Sequence, residues 1–250
     1  GSDITGALVA RAVNADVYEN WTDVSGFLMA DPRIVKNPRS VPVISYREQR
    51  ELSHMGASVL HEDAVMPARL AGIPINIRNT DAPDDEGTMI VAEDSPDVSV
   101  AGVRGIAGKR GYTALRIYKN AAGGGARLLT PFLAAAARRG IAPDFAMSAV
   151  DAATLFFAAE TNPVSLDAAV REGSAEICPE EVVVDTGITL IGVIGRGVGA
   201  GAASKIADAL TKSGIEPCGA CFCVGDTSII VGVENEDYET ALKAVYAKFA

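Results

Sequence analysis

Gly195-Arg196-Gly197-Val198-Gly199-Ala200 follows an apolar stretch and opens a predicted helix. Read as Gly-x-Gly-x-x-Ala, it fits the turn that seats a dinucleotide pyrophosphate on a helix N-terminus. That fingerprint also needs an acid about 20 residues on, ending the second strand. Glu216 stands near that distance but begins its predicted strand, and the roughly 60 residues left are few for a dinucleotide domain. The plainer reading is a tight bend between strand and helix. Gly123-Gly124-Gly125 precedes another predicted helix, which begins at Ala126 and Arg127. Free N–H groups there could hold a small carboxylate. Ser2-Asp3 stands before the first predicted helix, where it reads as a plain cap or as a second carboxylate cradle. Cys218, Cys221 and Cys223 form Cys-x-x-Cys-x-Cys, with Cys178 the only spare. Zinc wants four ligands, whereas cysteines alternating on one strand face are ordinary core residues, so no metal site is expected. His54 and His61 fall on predicted helical or turn segments and read as structural. The chain shows no nucleophile–base triad and no paired carboxylates.

The elements that must position these residues change character along the chain. Ile4, Ala7, Leu8, Ala10 and Val13 recur at helical spacing over 4–15. Residues 16–20 read as a strand, and the chain turns at Ser25-Gly26. The segment 30–42 holds three prolines and reads as a loop. Helices follow over 46–56 and 63–71, then strands over 74–78 and 89–91. Residues 81–97 contain no Lys or Arg and two prolines, and read as a domain boundary.

Beyond it lie strands 103–107 and 112–118, helix 126–139, strands 141–148 and 153–157, helix 165–172 and strand 182–185. The pattern restarts with strand 189–194, helix 200–213, strands 215–221 and 228–233, and helix 238–249. Two βαββα units of similar size make an internal duplication. Each βαββαβ unit needs a closing strand. The first copy has 182–185, whereas the second ends in its helix. Strand 103–107 is spare and is expected to cross over and complete the second copy, nesting one unit inside the other.

Composition excludes several classes. The 250 residues are 48% apolar, enough for real cores. A net charge of −10, from 22 Lys+Arg against 32 Asp+Glu, disfavours nucleic acid and anionic membranes as partners. No apolar run reaches the roughly 18 residues of a membrane span. There is no basic region followed by an apolar stretch at the start, so no signal peptide is expected. Four cysteines are too sparse for a disulfide scaffold and suit a reducing cytoplasm.

The first ninety residues resemble the C-terminal half of the kinase domain of aspartokinases, of the amino-acid-kinase fold. The resemblance rests on Gly1-Ser2-Asp3, Trp21-Thr22-Asp23-Val24-Ser25-Gly26, Ala30-Asp31-Pro32-Arg33, Gly56-Ala57-Ser58-Val59-Leu60-His61 and Gly72-Ile73-Pro74-Ile75, in that order. The second half is similar to the tandem ACT regulatory domains of the same family. The implied architecture is α/β. Residues 1–92 are the C-terminal part of the catalytic domain, and 98–250 hold two ferredoxin-like ACT units. The inner unit covers about 110–186, and the outer about 98–109 plus 187–250.

The resemblance implies phosphorylation of the β-carboxylate of L-aspartate by ATP with Mg²⁺, the first step of lysine, threonine and methionine biosynthesis. A carboxylate is already a nucleophile at pH 7, so positioning and neutralisation of phosphate charge suffice. That accounts for the missing triad. No tightly bound cofactor is expected. Ser2 and Asp3 would sit beside the substrate aspartate. Thr22, Asp23, Leu28, Arg33, Ser58 and Val59 would contact ATP. Bland alternatives stay open, an Asx turn for Thr22-Asp23 and a solvated loop charge for Arg33. Many members carry Tyr at the position of Leu28 and Lys at that of Ser58.

In the regulatory half, Gly125, Ala126, Arg127, Asp144, Ser148 and Asp151 would hold an amino-acid effector, lysine or threonine by the family's habit. Asp144 reads equally as a solvated strand end. In the second unit Phe222-Cys223-Val224-Gly225-Asp226 replaces the family's Gln-Gly-Ser-Ser-Glu. The phosphate-binding Lys-Phe-Gly-Gly-Thr-Ser segment is not among these residues. The expectation is therefore a C-terminal aspartokinase portion, inactive alone and homodimeric through its ACT units. The competing reading is a non-catalytic amino-acid-sensing chain.

Overall fold

A computed structural model describes residues 2–57, 59–60, 62–120, 123–222 and 227–250. In chain order the elements begin with α1 (Ser2–Ala12), β1 (Tyr18–Thr22), β2 (Phe27–Leu28), β3 (Ser40–Val41), β4 (Val43–Ser45), α2 (Tyr46–His54), α3 (Glu62–Ala71), β5 (Ile75–Asn79) and β6 (Thr88–Val91). They continue with β7 (Gly102–Tyr118), α4 (Gly125–Ala137), β8 (Phe145–Ser148), β9 (Ala152–Phe157), α5 (Pro163–Ile177) and β10 (Glu181–Arg196). The last four are α6 (Ala200–Lys212), β11 (Gly219–Phe222), β12 (Ser228–Glu234) and α7 (Tyr238–Tyr246). The chain divides into two compact units. The first holds residues 1–109 and 190–250, the second 110–189.

In the first unit, a mixed sheet has the order β1-β5-β6-β4, with β1 parallel to β5 and β4 parallel to β6. Ile75, Ile77 and Ile90 are fully buried along it. Helix α1 packs on α3 through small residues, since Ala7, Ala64 and Ala68 are fully buried and Ala10 nearly so. Gly6 admits the Tyr18 ring; a Cβ there would stand 2.6 Å from the phenol oxygen. The expected α1 stripe is therefore corrected. Ala7 and Ala10 face inward, while Leu8 and Val13 are exposed, because close helix approach selects the small side chains.

Helix α2 starts with a capping box. The Ser45 hydroxyl accepts from the Glu48 N–H, and the Glu48 carboxylate accepts from the Ser45 N–H. Beside it, the buried Tyr46 hydroxyl donates to the Ile73 carbonyl. Burial, then the charge of Glu93, pushes the Tyr46 phenol up to about 12. The folded chain thus holds this proton more tightly than the unfolded chain. Its contribution to stability is complete below pH ~10 and is lost as the pH rises through the folded value. We expect the urea midpoint to fall over that alkaline window and Tyr46→Phe to reduce the fall. A profile unchanged by the substitution would assign the effect to another group.

The rest of the first unit has the strand order β11-β12-β10-β7, using residues 102–109 of β7 and 190–196 of β10. Helices α6 and α7 pack on each other. Taken in sequence as β10, α6, β11, β12, α7 and then the earlier β7, this is a βαββαβ unit with its fourth strand supplied from upstream. The second unit has the order β10-β7-β9-β8 with α4 and α5, the same ferredoxin-like pattern. Its core gathers Leu115, Ile117, Leu128, Phe132, Leu155 and Phe157.

The expected crossover is present. The expected breaks are not, because 102–118 and 181–196 are single strands. Each carries a glycine of positive φ in its interior, Gly111 at 84° and Gly187 at 82°. Glycine reaches such a φ at no steric cost, which lets a strand bend there without ending.

Candidate functional site

Strand β1 carries the first group of expected site residues. Asn20 is buried on it, and its Nδ2 donates to Asp3 Oδ1 at 3.3 Å and to the Tyr18 hydroxyl at 3.0 Å. Tyr18 in turn donates to the Asp3 carbonyl at 3.1 Å, and the Ser2 hydroxyl faces Asp3 Oδ1 at 3.4 Å. Two residues beyond Asn20, Thr22 shares its face of the strand. The Thr22 hydroxyl donates to Asp23 Oδ1 at 3.2 Å, and the Thr22 carbonyl accepts from the Thr80 N–H at 2.8 Å and the Thr80 hydroxyl at 2.9 Å. Asp3 thus lies against Tyr18 and Asn20 of β1, and Thr22 and Asp23 follow at the C-terminal end of that strand, the end at which open α/β sheets take ligands. Asn20 and Tyr18, which tie Asp3 to the strand, do not stand out in the sequence. Neither does Trp21, whose ring lies 5.1 Å from the Arg78 guanidinium carbon. The only sequence signal is their place in one short strand.

The other expected nucleotide residues lie apart. Leu28 is half-buried on β2 opposite Ser40. Its neighbour Phe27 donates its N–H to Thr88 Oγ1 at 2.8 Å, and Thr88 donates to the Val41 carbonyl at 2.6 Å. The Arg33 side chain is 87% exposed and paired with Asp31. Asp31 grips it in a fork, Nε to Oδ1 at 3.0 Å and Nη2 to Oδ2 at 2.6 Å, while Oδ1 also accepts the Arg33 N–H at 2.9 Å. The Arg33 hydrogen bonds hold the Asp31 carboxyl below its ordinary range, against the opposing effect of its partial burial. Among the described residues no hydrogen bond or ion pair joins Leu28, Arg33 or Val59 to the Asp3–Thr22 group. Ser58 and His61 lie outside the described residues, and His54 is exposed at the end of α2.

In the second unit the Gly125 N–H donates to the Ala149 carbonyl at 2.9 Å, and the Arg127 N–H donates to the Gly124 carbonyl at 3.0 Å. The expectation of free N–H groups is corrected at these two positions. The start of α4 and the 148–151 turn are nevertheless neighbours, so Gly125, Ala126 and Arg127 lie with Ser148 and Asp151. Asp144 is at the other end of β8, about 13 Å away at ~3.3 Å per residue. There its carboxylate accepts from the Tyr112 hydroxyl at 2.6 Å. Burial first, then this hydrogen bond, raises the Tyr112 phenol far above its ordinary value. Asp144 is a partnered side chain and not a solvated strand end.

The Gly195–Ala200 segment joins β10 to α6 as expected, with Gly199 at the N-cap. The following strand β11 pairs antiparallel with β12, and Glu216 precedes it outside any strand. The parallel βαβ setting of a dinucleotide fingerprint is absent among the described residues. Cys223 and most of the Phe222–Asp226 stretch lie outside them. No described helix is long and apolar enough to cross a membrane.

Residues 1–79 match the model of the amino acid kinase family. With the nested ferredoxin-like pair behind it, the chain is α/β, an amino-acid-kinase segment followed by two ACT units, one inside the other. Aspartokinases align with it from end to end, and the chain is their homologue. Aspartokinase 3 of Bacillus subtilis is 31% identical over 100% of this chain and 55% of its own length. The aspartate kinase of Clostridium acetobutylicum superposes with a TM-score of 0.91 at 38% identity, over 100% of this chain and 58% of its own. Escherichia coli aspartokinase III bound to aspartate and ADP reaches 0.81 at 24% identity, over 99% of this chain and 55% of its own. Its complex with lysine and aspartate reaches 0.78. The chain thus spans a little over half the length of these relatives.

Proposed function

We infer that the chain is the C-terminal part of an aspartate kinase, phosphorylating the β-carboxylate of L-aspartate with ATP and Mg²⁺ under feedback from an amino acid. The observation that carries this reading is the end-to-end similarity to an aspartate kinase at 38% identity. The bond from Asn20 to Asp3, with Thr22 and Asp23 next along the same strand, supports it. In this reading residues 1–92 belong to the catalytic domain, and 98–250 are the regulatory pair, its inner unit about 110–186. Ser2 and Asp3 orient the substrate, with Asn20 fixing the Asp3 carboxylate. Thr22 and Asp23, with Leu28, Ser58 and Val59, border the nucleotide. Arg33 turns from Asp31 toward phosphate only when the nucleotide offers a better acceptor. Mg²⁺ supplies neutralisation of phosphate charge and enters with the nucleotide. The attacking carboxylate needs no base, so these residues act by holding geometry. Gly125, Ala126, Arg127, Ser148 and Asp151 border the effector, lysine or threonine, and Asp144 acts from the far end of β8. A homodimer formed through the regulatory units and a cytoplasmic location complete the reading.

The test is aspartyl-hydroxamate formation with ATP and Mg²⁺, run on these 250 residues and on the product of the whole reading frame that contains them. We expect activity only in the longer product, inhibited by L-lysine or L-threonine. Calorimetry on the 250 residues should show saturable binding of one of the two. An inactive longer product that still binds an amino acid would favour a non-catalytic sensing chain.

A further inference from the structure

Glu48 is only 1% exposed. Its Oε2 accepts from the Ser45 N–H at 2.8 Å and from the Ser45 hydroxyl at 3.0 Å. Its other oxygen, Oε1, has no hydrogen-bond partner. Arg104 faces it, but Nε stands 3.9 Å away, too far for a hydrogen bond, and that N–H also has no acceptor. Thr227, 8% exposed, likewise leaves its hydroxyl oxygen without a partner. Buried polar atoms are nearly always satisfied, and each exception asks for an explanation.

Glu48 and Thr227 line one cavity of 180 Å³, entirely within the first unit. Its wall also carries Glu93, Arg47 and Arg196. The Arg196 Nη1 points at the carbonyls of Glu93 and Val98, at 3.3 and 3.5 Å. The cavity thus offers carboxylate and guanidinium groups together. A simple anion would meet the unsatisfied Glu48 oxygen, and a simple cation would meet two arginines. A small molecule bearing both charges suits both. The volume is well below the ~300–1,000 Å³ of drug-sized pockets and matches about six waters.

We propose that this cavity binds a small zwitterionic α-amino acid. Its ammonium donates to Glu48 Oε1 and Thr227 Oγ1, and its carboxylate lies against Arg196. The site uses none of the residues 125–151 assigned above to the effector, and it does not depend on that assignment.

Thr227→Val supplies a clean test. The Thr227 hydroxyl has no partner to lose, so the substitution should leave the unliganded melting temperature unchanged or raised. The intact chain is screened by thermal shift against each of the twenty protein L-amino acids. Those that stabilise it are titrated by calorimetry into wild type, Thr227→Val and Glu48→Gln. We expect at least one small amino acid to bind, with its affinity weakened about tenfold or more by Thr227→Val and further by Glu48→Gln. Glu48→Gln also touches the α2 cap, so Thr227→Val alone decides the outcome should that variant fold poorly. If no amino acid binds, or if every binding survives Thr227→Val unchanged, the cavity holds only water and the proposal fails.

Discussion

Gly195→Ala should destabilise the first unit by at least about 3 kcal/mol, the range of severe overpacking. A Cβ at this position would stand 2.1 Å from the Gly102 carbonyl oxygen, 2.7 Å from Val103 Cα and 2.8 Å from the Arg104 nitrogen. All three are backbone atoms of β7, so no rotamer change relieves the clash. Retreat in the other direction is blocked, because the Gly195 N–H donates to the Thr227 carbonyl at 2.8 Å. The strand that crosses over to complete the outer unit would have to separate from its neighbour. Gly199→Ala, four residues on in the same motif, is the contrast. It has no atom within 4 Å of the added carbon and φ of −116°, so a change within about 0.5 kcal/mol is expected. Urea titrations of both variants decide the matter. Equal losses would mean that close strand approach is not what Gly195 provides.

The same contrast shows what the sequence can reveal. The duplication and its crossed strand are legible because apolar runs and helical stretches recur in one order, and a fourth strand has to come from somewhere. The motif at Gly195 looks like nucleotide chemistry because glycine spacing reports only that backbone needs room. It does not report whether a pyrophosphate or another strand takes that room.

Strands 102–118 and 181–196 look broken in the sequence because Gly111 and Gly187 interrupt the apolar pattern, and a bend within a strand and a chain turn share that signature. Helix α5 exceeds the expected 165–172 at both ends. Asn162 caps it by accepting from Val164 and Ser165, Pro163 occupies its first turn, and it runs on to Ile177. Within the added length Gly173 leaves space for the Phe132 ring. Strand β8 starts only at Phe145, beyond Pro143, which cannot donate to a ladder.

At the candidate sites, residue types are legible and partners are not. Arg33 and Asp144 stand out for their charge, but Asp31 and Tyr112 decide what they are free to do. Of those two, Tyr112 lies 32 residues from its partner in sequence.

Gly125→Ala is expected to damage the second unit as severely as Gly195→Ala damages the first, again by at least about 3 kcal/mol. The added carbon would lie 2.0 Å from the Ala149 carbonyl oxygen and 2.6 Å from that of Ala152. The Gly125 N–H is bonded to that same Ala149 oxygen, so attraction at one atom forces the close approach at the next. Relief requires the first turn of α4 to lift from the 148–151 turn and give up the hydrogen bond. Gly124→Ala separates this from ordinary backbone strain. Its φ of 111° disfavours a side chain, but nothing lies within 4 Å, so only the backbone strain of about 1–3 kcal/mol is expected.

The pair also probes the effector assignment. Ala149 sits between Ser148 and Asp151, so lifting α4 from it moves Ala126 and Arg127 away from both. If those residues border the amino acid, calorimetric binding of lysine or threonine should vanish in Gly125→Ala at temperatures where circular dichroism shows the chain still folded. It should persist in Gly124→Ala. Binding retained in a folded Gly125→Ala chain would move the effector site elsewhere, with the Asp144 end of β8 the next place to look.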